Sequence, residues 1–289
     1  MTLLDGIVSG CSFPEVGFGT INTITDARLL DHYSREVAPD AFSREQQQAV
    51  SGFGRWESIA NLTRGGGWID PRIFCPDRLP ASLRYHPETN PTGARCDVYD
   101  HTVNVYGRDP QTGFARRPLD NTGIQYGLGA LRDKAITVEQ FLDLNERIGG
   151  FDADANHVPE RTRADLSATR AASRSGRLLK AGAGLACMPM IDYRAYTDDA
   201  PGGDIHMRFQ SFSTRERLLK VNGTYGNQVM LVEDNRYGGF SLDSPVILDA
   251  LTQMDRWLTA IAADRRPGRP TDRVVRNKTG RAHGRLLEP

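Results

Sequence analysis

The stretch Met188-Pro-Met-Ile-Asp-Tyr-Arg-Ala-Tyr-Thr-Asp-Asp-Ala-Pro-Gly-Gly-Asp-Ile-His206 decides the fold. Residues 188–196 mix apolar and aromatic side chains over a strand's length. The Thr-Asp-Asp-Ala-Pro-Gly-Gly that follows ends the strand, because proline and paired glycines cannot continue a ladder. Asp198, Asp199, Asp204 and the imidazole of His206 then fall within a few residues of the strand's carboxyl end. In open α/β sheets that edge is where ligands and catalytic groups collect. The same residue types also make an ordinary acidic, solvated turn, and that reading stands beside the first.

Outward from this stretch the pattern is strand, helix, strand, helix. Residues 206–221 read as a helix with Phe209, Phe212, Leu218 and Leu219 inward, Arg208, Arg215 and Arg217 outward, and Gly223 as its stop. Residues 227–232 read as a strand, and residues 245–262 as an amphipathic helix carrying Trp257. Near the amino terminus, residues 3–13 read as a short buried strand ended by Pro14, which needs sheet neighbours on both sides. Together these predict an α/β fold with one shared sheet.

The intervening region is of different character. Residues 26–36 and 43–50 are predicted helices, the second opened by Ser43. Residues 51–125 shift to Gly, Pro, Arg, Asp and Asn with no sustained period, a long irregular region with one short strand at 103–106. Thr137-Val-Glu-Gln140 matches a capping box, and Phe141, Leu142, Leu144 and Ile148 continue at helical spacing until Gly149 and Gly150. Residues 165–180 read as a basic helix. From Asp264 the chain is rich in Arg and Pro and reads as a mobile basic tail.

Composition bounds the function classes. The 289 residues carry no formal net charge, 39% are hydrophobic and 25% charged, which is a globular composition that favours neither nucleic acid nor a membrane as partner. No run approaches the length of a membrane span, and the amino terminus shows no basic region followed by an apolar core. The four cysteines, Cys11, Cys75, Cys96 and Cys187, include no C-x-x-C pair, so a zinc site is not indicated. Cys75 and Cys96 bracket a stretch with Pro76, Pro80, Pro87 and Pro91. A bridge there would restrict the unfolded chain by about 3 kcal/mol. Two readings stay open, a disulfide that implies an oxidising compartment or a pair of reduced thiols.

Asp152-Ala-Asp154-Ala-Asn156 spaces oxygen ligands as calcium loops do, but lacks the glycine and the closing glutamate of such a loop. Gly65-Gly-Gly67-Trp68 has no following Lys-Ser/Thr, so it reads as a flexible turn rather than a phosphate loop. No cofactor is called for by any motif.

Longer motifs carry a family resemblance. The segments NPTGARCDVYD (from Asn90), RPLDNTGIQYGL (from Arg117), DLNERIGGFDAD (from Asp143), IDYRAYTDD (from Ile191) and GDIHMRF (from Gly203) resemble the carboxyl-terminal part of a bacterial family. That family comprises large, mostly exported α/β-hydrolase-like proteins of undefined function, and the likeness runs over most of residues 3–277. At fold level it is similar to tannase-like esterases and 3-hydroxybutyrate oligomer hydrolases. The resemblance implies a partial α/β-hydrolase-like sheet from residues 1–20 and 183–262, a large helical and irregular cap at 21–182, and a tail at 263–289. It also implies a small-molecule ester as substrate.

Serine esterases need a nucleophile on a G-x-S-x-G elbow, an imidazole that takes its proton and a carboxylate that orients the imidazole. No serine here satisfies that motif. The nearest are Gly10-Cys11-Ser12-Phe13-Pro14 and Gly239-Phe240-Ser241-Leu242-Asp243, each lacking the final glycine. The expectation is that the nucleophile lies on an upstream amino-terminal part and that this chain alone is inactive. The loop after the last strand, residues 233–240, has no histidine, and His283 is the only later one. His206 is therefore the candidate base. Asp198 is the first candidate for the orienting acid, with Asp204 and Asp26 behind it, Asp26 because its loop follows the early strand. Each aspartate also reads as a turn or helix-cap carboxylate. Two other functions stay open: a non-catalytic or vestigial binding domain, and metal-dependent hydrolysis through Asp198, Asp204 and His206.

Overall fold

A computed structural model describes residues 4–279. In chain order the elements are β1 (Ile7–Gly10), α1 (Ile21–His32), α2 (Arg44–Ser51), α3 (Glu57–Arg64), α4 (Val103–Tyr106), α5 (Leu128–Arg132), α6 (Val138–Arg147), β2 (Gly150–Phe151), β3 (His157–Val158) and α7 (Leu166–Arg174). They continue with β4 (Met190–Ala195), α8 (Phe209–Asn222), β5 (Gln228–Glu233), α9 (Pro245–Ala263) and α10 (Pro270–Arg276). Among the described residues no helix is long and apolar enough to cross a membrane.

The chain forms two compact units. One comprises the described residues up to Pro14, Leu179–Ala200 and those from His206 onward; the other comprises Glu15–Leu178 and Pro201–Ile205. In the first, three parallel strands run in the order β1-β4-β5, with Ile7 opposite Met190 and Met190 opposite Gln228. This is the predicted α/β architecture. Expected to have neighbours on both sides, β1 has one among the described residues, β4.

Alternation along β4 sends Ile191, Tyr193 and Ala195 to one face. There α9 covers the sheet with Val246, Ile247, Ala250, Met254 and Trp257. Ser244 caps that helix by accepting the Ile247 amide, and Pro245 sits in its first turn. Within the stretch expected as a mobile tail, α10 buries Val274 in this same core, and the Trp257 indole donates to the Val274 carbonyl at 2.8 Å.

The opposite face, toward α8, differs from expectation. Phe209, Phe212 and Leu219 are exposed, and the buried positions of α8 are Gln210, Ser211, Thr214 and Leu218. The physical reason is the strand beneath: Asp192 and Arg194 occupy this face of β4, and their desolvated charges need polar partners on the covering helix.

The second unit is mostly helical around Ile21, Leu29, Leu30, Tyr33, Ile69, Tyr99, Leu144 and Ile148. Thr137 forms the capping box read in the sequence, with Gln140, and Ser43, read as the residue that opens its helix, forms a capping box as well, with Gln46. Leu142, one of the apolar residues at helical spacing, is exposed. Gly149, at φ 62°, ends α6 and brings the chain so close to the Val158 carbonyl that a Cβ would stand 2.2 Å from that oxygen. Val103–Tyr106, expected as a strand, is a single helical turn, because the Thr102 carbonyl accepts the Val105 amide at 2.8 Å and the turn buries Tyr106. A disulfide joins Cys75 and Cys96. The irregular region is tied further by Arg95, which stacks on Tyr85 and Phe114 and pairs with Asp154 at 2.8 Å.

Candidate functional site at the carboxyl edge of the sheet

All three parallel strands end at one edge. β1 ends at Gly10, where a Cβ would collide with the Phe240 ring at 1.9 Å, and the chain turns at Cys11 with φ 48°. A positive φ at a non-glycine residue is uncommon and costs free energy that the surroundings must supply. The Cys11 amide donates to the Tyr193 carbonyl at 2.9 Å, which continues the ladder past the strand. Ser12 then turns inward, its hydroxyl donating to Asp192 Oδ1 at 2.9 Å.

Asp192 is 3% exposed and Arg194 is 1% exposed. Burial raises the Asp192 pKa, opposed by the Ser211 and Ser12 hydroxyls and the Arg194 charge. Asp192 Oδ2 has no hydrogen-bond partner among the described residues. Arg194 reaches three separate segments: its Nε donates to Ser211 Oγ at 2.9 Å, its Nη1 to the His206 carbonyl at 3.1 Å, and its Nη2 to the Ser12 carbonyl. A planar guanidinium with five fixed donors suits such a junction, as a lysine would not.

The loop after β4 grips the same segment. Thr197 Oγ1 donates to the His206 carbonyl at 2.9 Å. Asp198 accepts the Arg208 amide on Oδ1 and Arg208 Nε on Oδ2, both at 2.8 Å, while the Arg208 guanidinium lies over the Tyr196 ring. Thus the strand-end carboxylate holds the start of α8, and the His206 ring meets Phe13 edge-on with centroids 5.5 Å apart. At the end of β5, Glu233 accepts from the Tyr193 and Ser244 hydroxyls; burial, then the bond to Glu233, push the Tyr193 phenol well above its ordinary range, against the Ser244 hydroxyl.

The structure therefore brings Asp198 and His206 to one edge of one unit. Asp204 falls in Pro201–Ile205, which clusters with the other unit. Asp26 is not in a loop after β1 but inside α1 of that other unit, where its Oδ1 accepts the Tyr126 hydroxyl at 2.6 Å. Burial raises its pKa to about 6 against the Tyr126 bond and the Arg161 charge. His283 lies outside the described residues. In the calcium-like loop, Asp154 accepts from Arg95 and Tyr85, and Asp152 accepts the amides of Asp154 and Asn156. Among the described residues no group of three or more His, Cys, Asp or Glu is placed to hold a metal ion.

The sequence reads this strand as buried and weighs Ser12 only against the nucleophile elbow, and it gives no role to Asp192, Arg194 or Ser211. The alternation Ile-Asp-Tyr-Arg-Ala does not say what the polar face meets until β4 is known to lie between two neighbours under α8.

The Tannase-like family of unknown function (DUF6351) matches residues 2–289. The chain belongs to this family. No curated protein and no solved structure matches it. The edge just described in this tannase-like chain is the carboxyl edge of a parallel sheet, where open α/β sheets in general gather ligands.

Proposed function

We propose that this tannase-like chain supplies the acid and base side of a carboxylic ester hydrolase. His206 is the general base, Asp198 is the first carboxylate to orient it, and Asp204 is the second by its closeness in sequence. The observation that carries this is the pair of bonds by which the β4 end loop, through Thr197 and Asp198, holds the His206 to Arg208 segment at the carboxyl edge. A base must be fixed in place before its pKa matters. In the reaction His206 takes the proton of a serine hydroxyl as that oxygen attacks the ester carbonyl carbon. It then returns the proton to the departing alcohol, and water completes the cycle by the same route. Because no serine here lies in G-x-S-x-G, the nucleophile is proposed to come from an upstream part of the parent protein.

The test is hydrolysis of a short-chain chromogenic ester by this chain and by the same chain joined to its upstream coding sequence. Activity confined to the longer form and reduced on the order of a thousandfold or more by His206→Ala is the expected result. Asp198→Asn and Asp204→Asn in that form identify the orienting acid by the larger loss. An active longer form indifferent to His206→Ala overturns the assignment of the base.

A second reading, a non-catalytic binding domain, is favoured by one observation: both Asp198 oxygens are already engaged by Arg208. Inactivity of both forms on every ester tried would put it first.

A further inference from the structure

A cleft of about 370 Å³ lies within the unit built from Glu15–Leu178 and Pro201–Ile205, at the small end of the size range of small-molecule sites. Arg28 and His32 of α1, Arg64 of α3 and His157 of β3 line it. We propose that this cleft binds a small molecule through its carboxylate or phosphate group, with Arg28 and Arg64 supplying positive charge and the stacked imidazoles of His32 and His157 forming a flat wall. This is independent of ester hydrolysis and of the edge that carries His206.

The charge arrangement supports an oxyanion. Two carboxylates of the lining are already held, Asp31 by Arg35 at 2.7 Å and Asp70 by Arg72 through bonds of 2.8 and 2.7 Å. Glu36 is an exposed carboxylate at the cleft. Arg64 is exposed and donates through Nη2 to Asn61 Oδ1 at 3.1 Å, and a guanidinium carries five donors in a fork that matches an oxyanion. Arg28 lies over the Phe151 ring, 4.9 Å from its centroid, which fixes its charge beside the imidazoles.

The imidazoles are 3.9 Å apart at an interplanar angle of 16°. Facing His157 are His32, Arg28 and Asp31 from α1 and the Phe151 ring from β2. Burial, then the charges of His32 and Arg28, push its pKa down to about 4, against its hydrogen bond to the Arg28 backbone and the opposing charge of Asp31. An oxyanion held by Arg28 and Arg64 adds negative charge beside His157 to that of Asp31, so binding must raise the His157 pKa. By linkage, protonation of His157 must tighten the anion by the same factor.

The experiment follows the His157 ring proton by NMR against pH in the full chain, with millimolar inorganic phosphate, acetate or chloride at equal ionic strength. Phosphate or acetate should raise the His157 pKa by about one unit, a tenfold linkage, relative to chloride. A response to phosphate alone or acetate alone supports the site and names the oxyanion. Arg64→Ala should abolish the response while leaving the melting temperature unchanged. Equal titration in all three salts, or a rise that persists in Arg64→Ala, overturns the proposal.

Discussion

Asp26 shows how one buried carboxylate makes stability depend on pH. Its folded pKa, about 6, lies above the ordinary value of 3.8. The folded chain therefore holds a proton that the unfolded chain has released, and stability falls as pH rises between those values. Asparagine mimics the protonated acid and still accepts from Tyr126. Asp26→Asn should stabilise the protein at neutral pH by an amount on the order of 2 kcal/mol, discounted for the partly accessible edge of the side chain. Urea unfolding at several pH values should show the difference vanish toward pH 4; a difference constant with pH would contradict the cause. Arg194 is the opposite case, a cation that joins three segments. Arg194→Met leaves Asp192 buried without its neighbouring charge and frees two carbonyls and a hydroxyl. The loss should be about 3–5 kcal/mol in the same measurement, whereas a loss below about 1 kcal/mol would mean that the junction relaxes around water.

At the scale of elements, Gly149 couples a helix end to a hairpin. Its positive φ stops α6, and the missing Cβ admits the Val158 carbonyl. Gly149→Ala combines backbone strain with a backbone clash that no side-chain rotation relieves, and should cost about 2–3 kcal/mol by denaturant midpoint. Both glycines there were legible as a stop in the sequence. So were β4, β5 and α9, the strands because turn residues bound short segments rich in apolar and aromatic side chains, and the helix because its amphipathic pattern runs for many residues after Pro245. The inner face of α8 was not legible. Its phenylalanines look like a core stripe, and only the charges buried on β4 explain why serine, threonine and glutamine face the sheet instead. α3 was passed over because Gly and Arg surround its short apolar pattern. The candidate site followed the same division: His206 and Asp198 stand out in a turn, whereas Asp192 and Arg194 acquire meaning only from the strand's central place.

At the scale of the whole molecule, each unit has its own hydrophobic core. Scanning calorimetry should resolve two transitions, with Arg194→Met lowering one and Gly149→Ala the other. A single transition moved equally by both would show that the units unfold together. The parallel pairing of Ile7 with Met190 adds a consequence for biosynthesis. At ribosomal rates of 5–20 residues per second, β1 leaves the exit tunnel roughly 10–40 s before its partner strand exists. Throughout that interval a short apolar segment lacks the β4 ladder it joins in the finished fold, while the helical unit between them can already collapse. Chaperone dependence during translation, rather than the stability of the finished protein, is then what should limit the yield of this chain.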